Sequence, residues 1–439
     1  MLNYNPVPRM AESGKSSIKL VGLASLIGTT IEWYDFFLYG TAAALVLNQL
    51  FFPTFDPFTG TLASLATYAV GFIARPLGGA VIGHFGDRIG RKSMLVFTLM
   101  LMGVATFLIG LLPTYGQIGP MSAVLLVVLR LAQGFGVGGE WGGAVLMAVE
   151  HAPPGKRGFY GSWPQMGVPL GLLLSTVVYA PFSRMPQADF LAWGWRVPFL
   201  LSIVLVGVGL VIRVRILETP AFERMKENRQ EVRQPVVEVF RRYPRQVLVA
   251  MGARIAENGA FYMYTVFVLV YAVQHVHMDR NIVLSALIVA AALEVVTIPL
   301  FGALSDRIGR RPVYLIGAIS TAVFAYPIFA MMDTASPWLV QLALILALTV
   351  GHAAMYAPQA AFLSELFGAR VRYSGASLGA QLASVLAGGL APLIATAFLK
   401  YGYGKGALAL YIVGMCAITI VSVIAAAETH RHDIERAEH

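Results

Sequence analysis

Twelve runs of about 20 or more largely apolar residues follow one another along this 439-residue chain. They span roughly residues 20–49, 61–85, 93–112, 120–150, 159–181 and 194–214, then 244–274, 281–303, 312–332, 336–365, 371–399 and 406–427. In lipid every backbone N–H and C=O must be satisfied within the protein, so runs of this length imply membrane-crossing α-helices. Composition agrees: 13% of the residues are charged, where a soluble domain carries roughly 25%. Cys416 is the only cysteine, which excludes an intrachain disulfide and a cysteine-based metal site. No nucleotide-binding loop and no large polar domain interrupts the runs, which argues against an enzyme and implies no cofactor.

The net charge of +9 invites a nucleic-acid reading, but the positions of the charges argue against it. With the N-terminus inside, 24 of the 32 Lys and Arg residues fall on cytoplasmic segments. That asymmetry is the positive-inside signature, and it predicts both termini in the cytoplasm of a plasma-membrane protein. The expected partners are the bilayer and a small molecule, with no nucleic acid, and the chain is expected to be a monomer.

A repeat divides the chain. Gly83-His84-Phe85-Gly86-Asp87-Arg88-Ile89-Gly90-Arg91-Lys92 returns, 219 residues on, as Gly302-Ala303-Leu304-Ser305-Asp306-Arg307-Ile308-Gly309-Arg310-Arg311. Each copy reads as a short basic loop between two membrane helices. Glu150 through Arg157 is echoed by Glu365 through Arg372. The expected architecture is an all-α integral membrane protein with twelve transmembrane helices in two pseudo-symmetric six-helix halves. A cytoplasmic tail (1–19) precedes the first bundle (20–214), and a basic cytoplasmic linker (215–243) leads to the second bundle (244–427) and a short tail (428–439).

Charges inside apolar runs are costly and mark function by default. The basic motifs serve as a ruler, at about 1.5 Å of rise per residue. Arg75 lies 12 residues before Asp87 and Glu294 lies 12 before Asp306, both about 18 Å deep on that rise. Glu140 lies 10 residues before Glu150 and His352 lies 13 before Glu365, about 15 and 20 Å deep. With Asp35 and Arg254 they form one polar layer near the midplane, where a two-halved transporter holds its substrate. Arg130 sits nearer the outside, and Glu32 shares a helix face with Asp35, three residues before it. Arg75 suits a substrate carboxylate because a guanidinium bonds one bidentately, or else it pairs with Glu140 or Glu32. Gln165, Arg254, Glu257, Asn258 and Tyr262 are further candidates to line the site. Glu294 and His352 read as buried network residues, and His352 has no evident metal partners.

The D-R-x-G-R-(K/R) motifs, the twelve runs and the long central linker resemble the major facilitator superfamily over nearly the whole chain. Glu32-Trp33-Tyr34-Asp35-Phe36, Arg75-Pro76-Leu77-Gly78-Gly79, the Gly83–Arg88 motif and Gln133-Gly134 through Gly138-Gly139-Glu140-Trp141-Gly142-Gly143 are similar to its metabolite:proton symporter family. Members of that family carry shikimate, α-ketoglutarate, citrate or proline and betaine. The resemblance implies proton coupling (coupling ion H+) through an acid of the first span working with an arginine of the fourth. Those are Asp35, with Glu32 beside it, and Arg130; a permanent structural ion pair is the alternative. It also implies gating by Gly83, Asp87, Arg88, Gly90 and Arg91 and by Asp306, Arg307, Gly309 and Arg310, with Glu150, Glu365 and Arg372 at neighbouring helix ends. The expected activity is uptake of a small organic acid such as shikimate or a di- or tricarboxylate. An osmolyte carrier is the second reading, and a non-transporting membrane sensor is the reading from another class.

Overall fold

The computed structural model describes residues 18–89, 91–138, 141–150, 152–215, 239, 241–367 and 372–430. Among them the long helices are α1 (Ile18–Leu45), α2 (Pro57–Ile89), α3 (Arg91–Leu111), α4 (Met121–Gly138) and α5 (Trp141–Glu150). Then come α6 (Arg157–Ser183), α7 (Arg196–Arg215), α8 (Pro244–His275), α9 (Arg280–Ile308), α10 (Arg310–Asp333), α11 (Pro337–Glu365), α12 (Gly375–Lys400) and α13 (Lys405–Ala425). Among the described residues ten helical stretches are long and apolar enough to cross a membrane, and Val96–Leu111 is a shorter apolar one.

Packing repeats between the halves. The close pairs α1–α6, α2–α4 and α3–α7 recur as α8–α12, α9–α11 and α10–α13. Two seams join the halves, α6 against α9 and α2 against α12, and the repeat exchanges one for the other. Polarity is inside-out relative to a soluble protein. Leu77, Val296, Leu300, Val323, Leu410 and Val421 are exposed, while Glu32, Asp35, Arg75, Arg130, Glu257 and Glu294 are buried. Lipid accepts the exposed apolar faces, so the buried polar groups need a reason of their own.

Small residues bring α2 and α4 together. A Cβ on Gly134 would fall 1.9 Å from the carbonyl oxygen of Gly71, and one on Gly138 would fall 1.9 Å from that of Arg75. This four-residue small-xxx-small spacing lets the backbones touch and carries Arg75 and Arg130 into one layer.

The second copy of the repeated motif corrects one expectation. It is not a loop: α9 runs through Asp306 to Ile308 and α10 starts at Arg310. Only Gly309 stands between them, at φ +108°, a backbone region that residues with a Cβ avoid. The motif supplies helix-forming residues on both sides of that glycine, so the chain turns at one position and both helices keep their ends. In the first copy α2 likewise continues to Ile89. Gly90 and Glu140 lie outside the described residues, as do the side chains of Gly83, Asp87, Arg88, Arg91 and Arg372.

The inner helices are locally under-wound. Five-residue or longer π turns occur at Met263–Phe267 and Tyr271–His275 in α8, at Leu346–His352 in α11 and at Ser384–Gly389 in α12. Such turns gather at functional positions in helices; one of these ends at buried His352 and another begins at Ser384, which lines the cavity between the halves.

Candidate functional site

A buried cavity of about 20 Å³ lies between the halves. The first half lines it with Glu32, Trp33, Arg75 and Val137, and the second with Arg254, Ala380, Gln381 and Ser384. That volume holds about one water and no organic substrate.

Arg75 is the side chain best placed to greet a ligand there. It is 3% exposed, and its Nε and Nη2 have no hydrogen-bond partner among the described residues. Its guanidinium stands 4.3 Å from the ring centres of both Phe36 and Phe72 and 5.5 Å from that of Trp33. Cation–π contacts hold such a group in place without satisfying its in-plane donors. Neighbouring Tyr262 crosses from α8 into the same aromatic set, packing edge-on against Phe36, Tyr68 and Phe72.

Arg130 is boxed in the same way, 4.5, 4.3 and 4.8 Å from the rings of Phe36, Tyr39 and Tyr68. Among the described residues it forms no ion pair with Asp35. Its hydrogen bonds run elsewhere: Arg130 Nη1 donates to Gln133 Oε1 at 3.0 Å, and Gln133 Nε2 donates to Thr106 Oγ1 at 2.7 Å. Thr106 gives its own hydroxyl proton to the Met102 carbonyl at 2.9 Å, and the Oδ1 of buried Asp35 has no partner among the described residues. Arg130 directs in-plane donors to Gln133 Oε1 and the Tyr68 carbonyl rather than to the acid. Glu32 lines the cavity one turn before Asp35.

In the second half, Arg254 and Glu257 form an ion pair on α8 at 3.5 Å. Glu257 also meets His352 Nε2 at 3.2 Å and accepts from Gln359 Nε2 at 2.9 Å. Glu294 bonds to His352 Nδ1. Asn258 is buried, with Oδ1 unpartnered among the described residues and pressed towards Gly388. Gln165 reaches across the seam to the carbonyl of Tyr356 at 3.3 Å. The sequence reading left His352, Glu294, Gln359, Gln381, Gln133 and Thr106 out of the site. Single polar residues on different helices carry no spacing that ties them together, although the depth ruler had already put Glu294 and His352 in the right layer.

Both mouths of the seam are shut. At the end carrying the second basic motif, Asp306 accepts from the backbone N–H groups of Gly158 and Phe159, each at 2.8 Å. A carboxylate of one half thereby caps the positive N-terminal end of α6 in the other. Arg310 binds Asp306 at 2.7 Å and Glu365 at 3.2 Å. Glu428 accepts from the backbone of Arg310 at 2.9 Å and of Arg311 at 3.0 Å, and the Thr429 hydroxyl donates to Glu365 at 2.6 Å. Burial works to raise the Glu428 carboxyl, but the N–H groups of Arg310, Arg311, His430 and Thr429 hold it below the ordinary carboxylate range. Arg307 is exposed, as is Glu150 at the end of α5. At the other end, Ser183 Oγ bonds to Asn281 Oδ1 at 2.8 Å and Arg280 Nη2 donates to the Ser183 carbonyl at 2.5 Å. Gln274 donates to Thr61 at 2.7 Å there, and Lys400 to Thr59 at 2.6 Å.

Residues 25–377 match the family model described as Major Facilitator Superfamily. The chain belongs to that superfamily. It is 42% identical to the shikimate transporter of Escherichia coli (strain K12) over 421 residues, covering 95% of this chain and 96% of that protein. It is 34% identical to the proline/betaine transporter of the same organism, covering 94% of this chain and 84% of the relative. Among solved structures it resembles the proton:xylose symporter XylE bound to 6-bromo-6-deoxy-D-glucose, with a TM-score of 0.75, 18% identity and coverage of 95% and 98%. At that identity the likeness speaks for the fold. The chain is therefore a multi-pass membrane transporter of the metabolite:proton symporter type rather than an enzyme.

Proposed function

We propose that the protein imports a small organic acid together with protons by alternating access, with its two termini in the cytoplasm. The observation that carries the reading is Arg75: a buried guanidinium with unused in-plane donors, at a cavity that Arg254 borders from the opposite half. A substrate carboxylate accepts two parallel N–H bonds from such a group, and this pairing is stronger than one between neutral partners. Asp35, buried on α1 near the aromatic box, carries the proton.

The positive-inside distribution of Lys and Arg makes the Asp306–Arg310 end the cytoplasmic one. Opening inward breaks the Asp306 clasp on α6, and opening outward breaks the Arg280 and Asn281 clasp on Ser183 at the far end of the same helix. One helix pair, α6 and α9, is thus fastened at both ends and released at one end at a time. A proton moving with a monoanion carries no net charge, and each further proton draws about 2.3 kcal/mol from 100 mV of membrane potential.

The osmolyte reading is weaker on the same geometry. A quaternary ammonium needs open aromatic faces, yet Trp33, Phe36 and Phe72 already stack on Arg75, and Tyr39 and Tyr68 on Arg130. Counterflow in proteoliposomes decides between them, with shikimate, dicarboxylates and betaine as competitors. Competition by the acids is expected; competition by betaine alone would end the organic-acid reading.

A further inference from the structure

The second half contains a line of four ionisable side chains that leads away from the cavity. Arg254 borders the cavity and pairs with Glu257, Glu257 faces one nitrogen of His352, and Glu294 faces the other. They come from three helices, α8, α11 and α9, and each is at most 5% exposed. Phe261 and Tyr356 stack on the imidazole, with ring centres at 4.0 and 4.8 Å and both at 23° to its plane. The ring is therefore held with both nitrogens aimed at carboxylates, at the end of the π turn of α11.

This geometry sets a proton count. A neutral imidazole has one N–H donor and one bare lone pair, whereas an ionised carboxylate only accepts. Whichever tautomer is present, one nitrogen would face a carboxylate oxygen with no hydrogen between them. One additional proton, shared by the ring and the two acids, removes the clash. Arg254 stays charged, so that proton also brings the line from a net −1 to neutrality, the favoured state in a low-dielectric interior. The other titratable groups around the line are Glu32 and Arg75, which border the cavity with Arg254 and offset each other in charge, and Tyr262 on α8, Tyr314 on α10 (through Gln359) and Tyr356 on α11, which are uncharged at neutral pH.

We infer that Glu257, His352 and Glu294 form a second proton-binding site, separate from Asp35, which is loaded together with the substrate through Arg254. The inference rests on the proton-coupled reading above. When a substrate carboxylate draws on Arg254, Glu257 loses part of its positive neighbour and holds the cluster's proton more tightly. Linkage is reciprocal, so the proton in turn strengthens substrate binding.

The test is the limiting accumulation of shikimate in proteoliposomes against an imposed pH gradient, with the membrane potential clamped at zero. Each coupled proton multiplies that ratio about tenfold per pH unit, the equivalent of one unit of proton free energy. Wild type is expected to rise about 100-fold per pH unit and His352→Gln about tenfold, on the same scale. Glu294→Gln gives a second route should His352→Gln fail to fold. Its amide can donate to Nδ1 while Nε2–H donates to Glu257, so the extra proton is no longer needed and the slope is expected to fall likewise. A variant that folds and keeps the wild-type slope overturns the second site and leaves proton coupling standing. A wild-type carrier with no slope overturns the proton-coupled reading, and the second site with it.

Discussion

In the first half of the molecule, Arg75 and Arg130 rest against Trp33, Phe36, Tyr39, Tyr68 and Phe72, and Asp35 stands nearby with its Oδ1 unpartnered among the described residues. In the second half, Arg254 is paired with Glu257, and the acids are stitched by His352 and Gln359 into one hydrogen-bonded line. Aromatic faces fix a guanidinium while leaving its donors open. Ion pairs consume donors but create a place where a proton matters. The contrast assigns the two halves different work: the first presents donors to an anion, and the second balances charge behind it.

Removing the open donor should break the contrast most severely. Arg75→Ala is expected to weaken binding of the transported acid by about 100-fold, the worth of a buried charge-assisted pair, and Arg75→Lys to recover only part of it. Equilibrium binding to purified protein checks this, and wild-type affinity in both variants would move the anion site elsewhere. A smaller loss is expected from Asp35→Asn, which should lower the limiting accumulation about tenfold per pH unit of gradient while leaving the second-half cluster able to couple. An unchanged slope would remove Asp35 from coupling.

The smallest effect lies at the strap. Glu428→Gln replaces a carboxylate by a neutral acceptor for the N–H groups that start α10, and should speed inward opening by about threefold. Because folding holds the Glu428 carboxyl below its ordinary range, its contribution is complete above about pH 4.3 and fades as pH falls through the lowered value. Amide exchange at Arg310 and Arg311 should accordingly quicken in acid in wild type and be pH-insensitive, apart from intrinsic exchange, in the variant.

Much of the fold was legible in the chain. The apolar runs placed the helices to within a few residues: the expected 281–303 is Arg280–Ile308, and the expected 194–214 is Arg196–Arg215. Depth counted from the basic motifs put Arg75, Glu294 and His352 in one layer because helical rise is constant. The reading faltered where partners are chosen. It expected Asp35 beside Arg130 and a loop at Asp306, and it read His352 and Glu294 as buried network residues without naming their partners. Nothing in the spacing of Phe36, Tyr39 and Tyr68 says that their faces will cover an arginine from another helix. Nor does the Asp306 motif announce that its carboxylate will cap α6 across the seam.

By itself, then, the sequence determined the helices, their depth scale, the internal repeat and the inventory of buried charge, since each follows from local chemistry and a fixed rise per residue. Tertiary structure alone decided which charge meets which. That choice depends on how closely glycine-lined helices approach, where π turns rotate a face, and which aromatic ring reaches a guanidinium first. These are relations among segments hundreds of residues apart, and they decide whether a buried arginine is spent on the protein or left for a substrate.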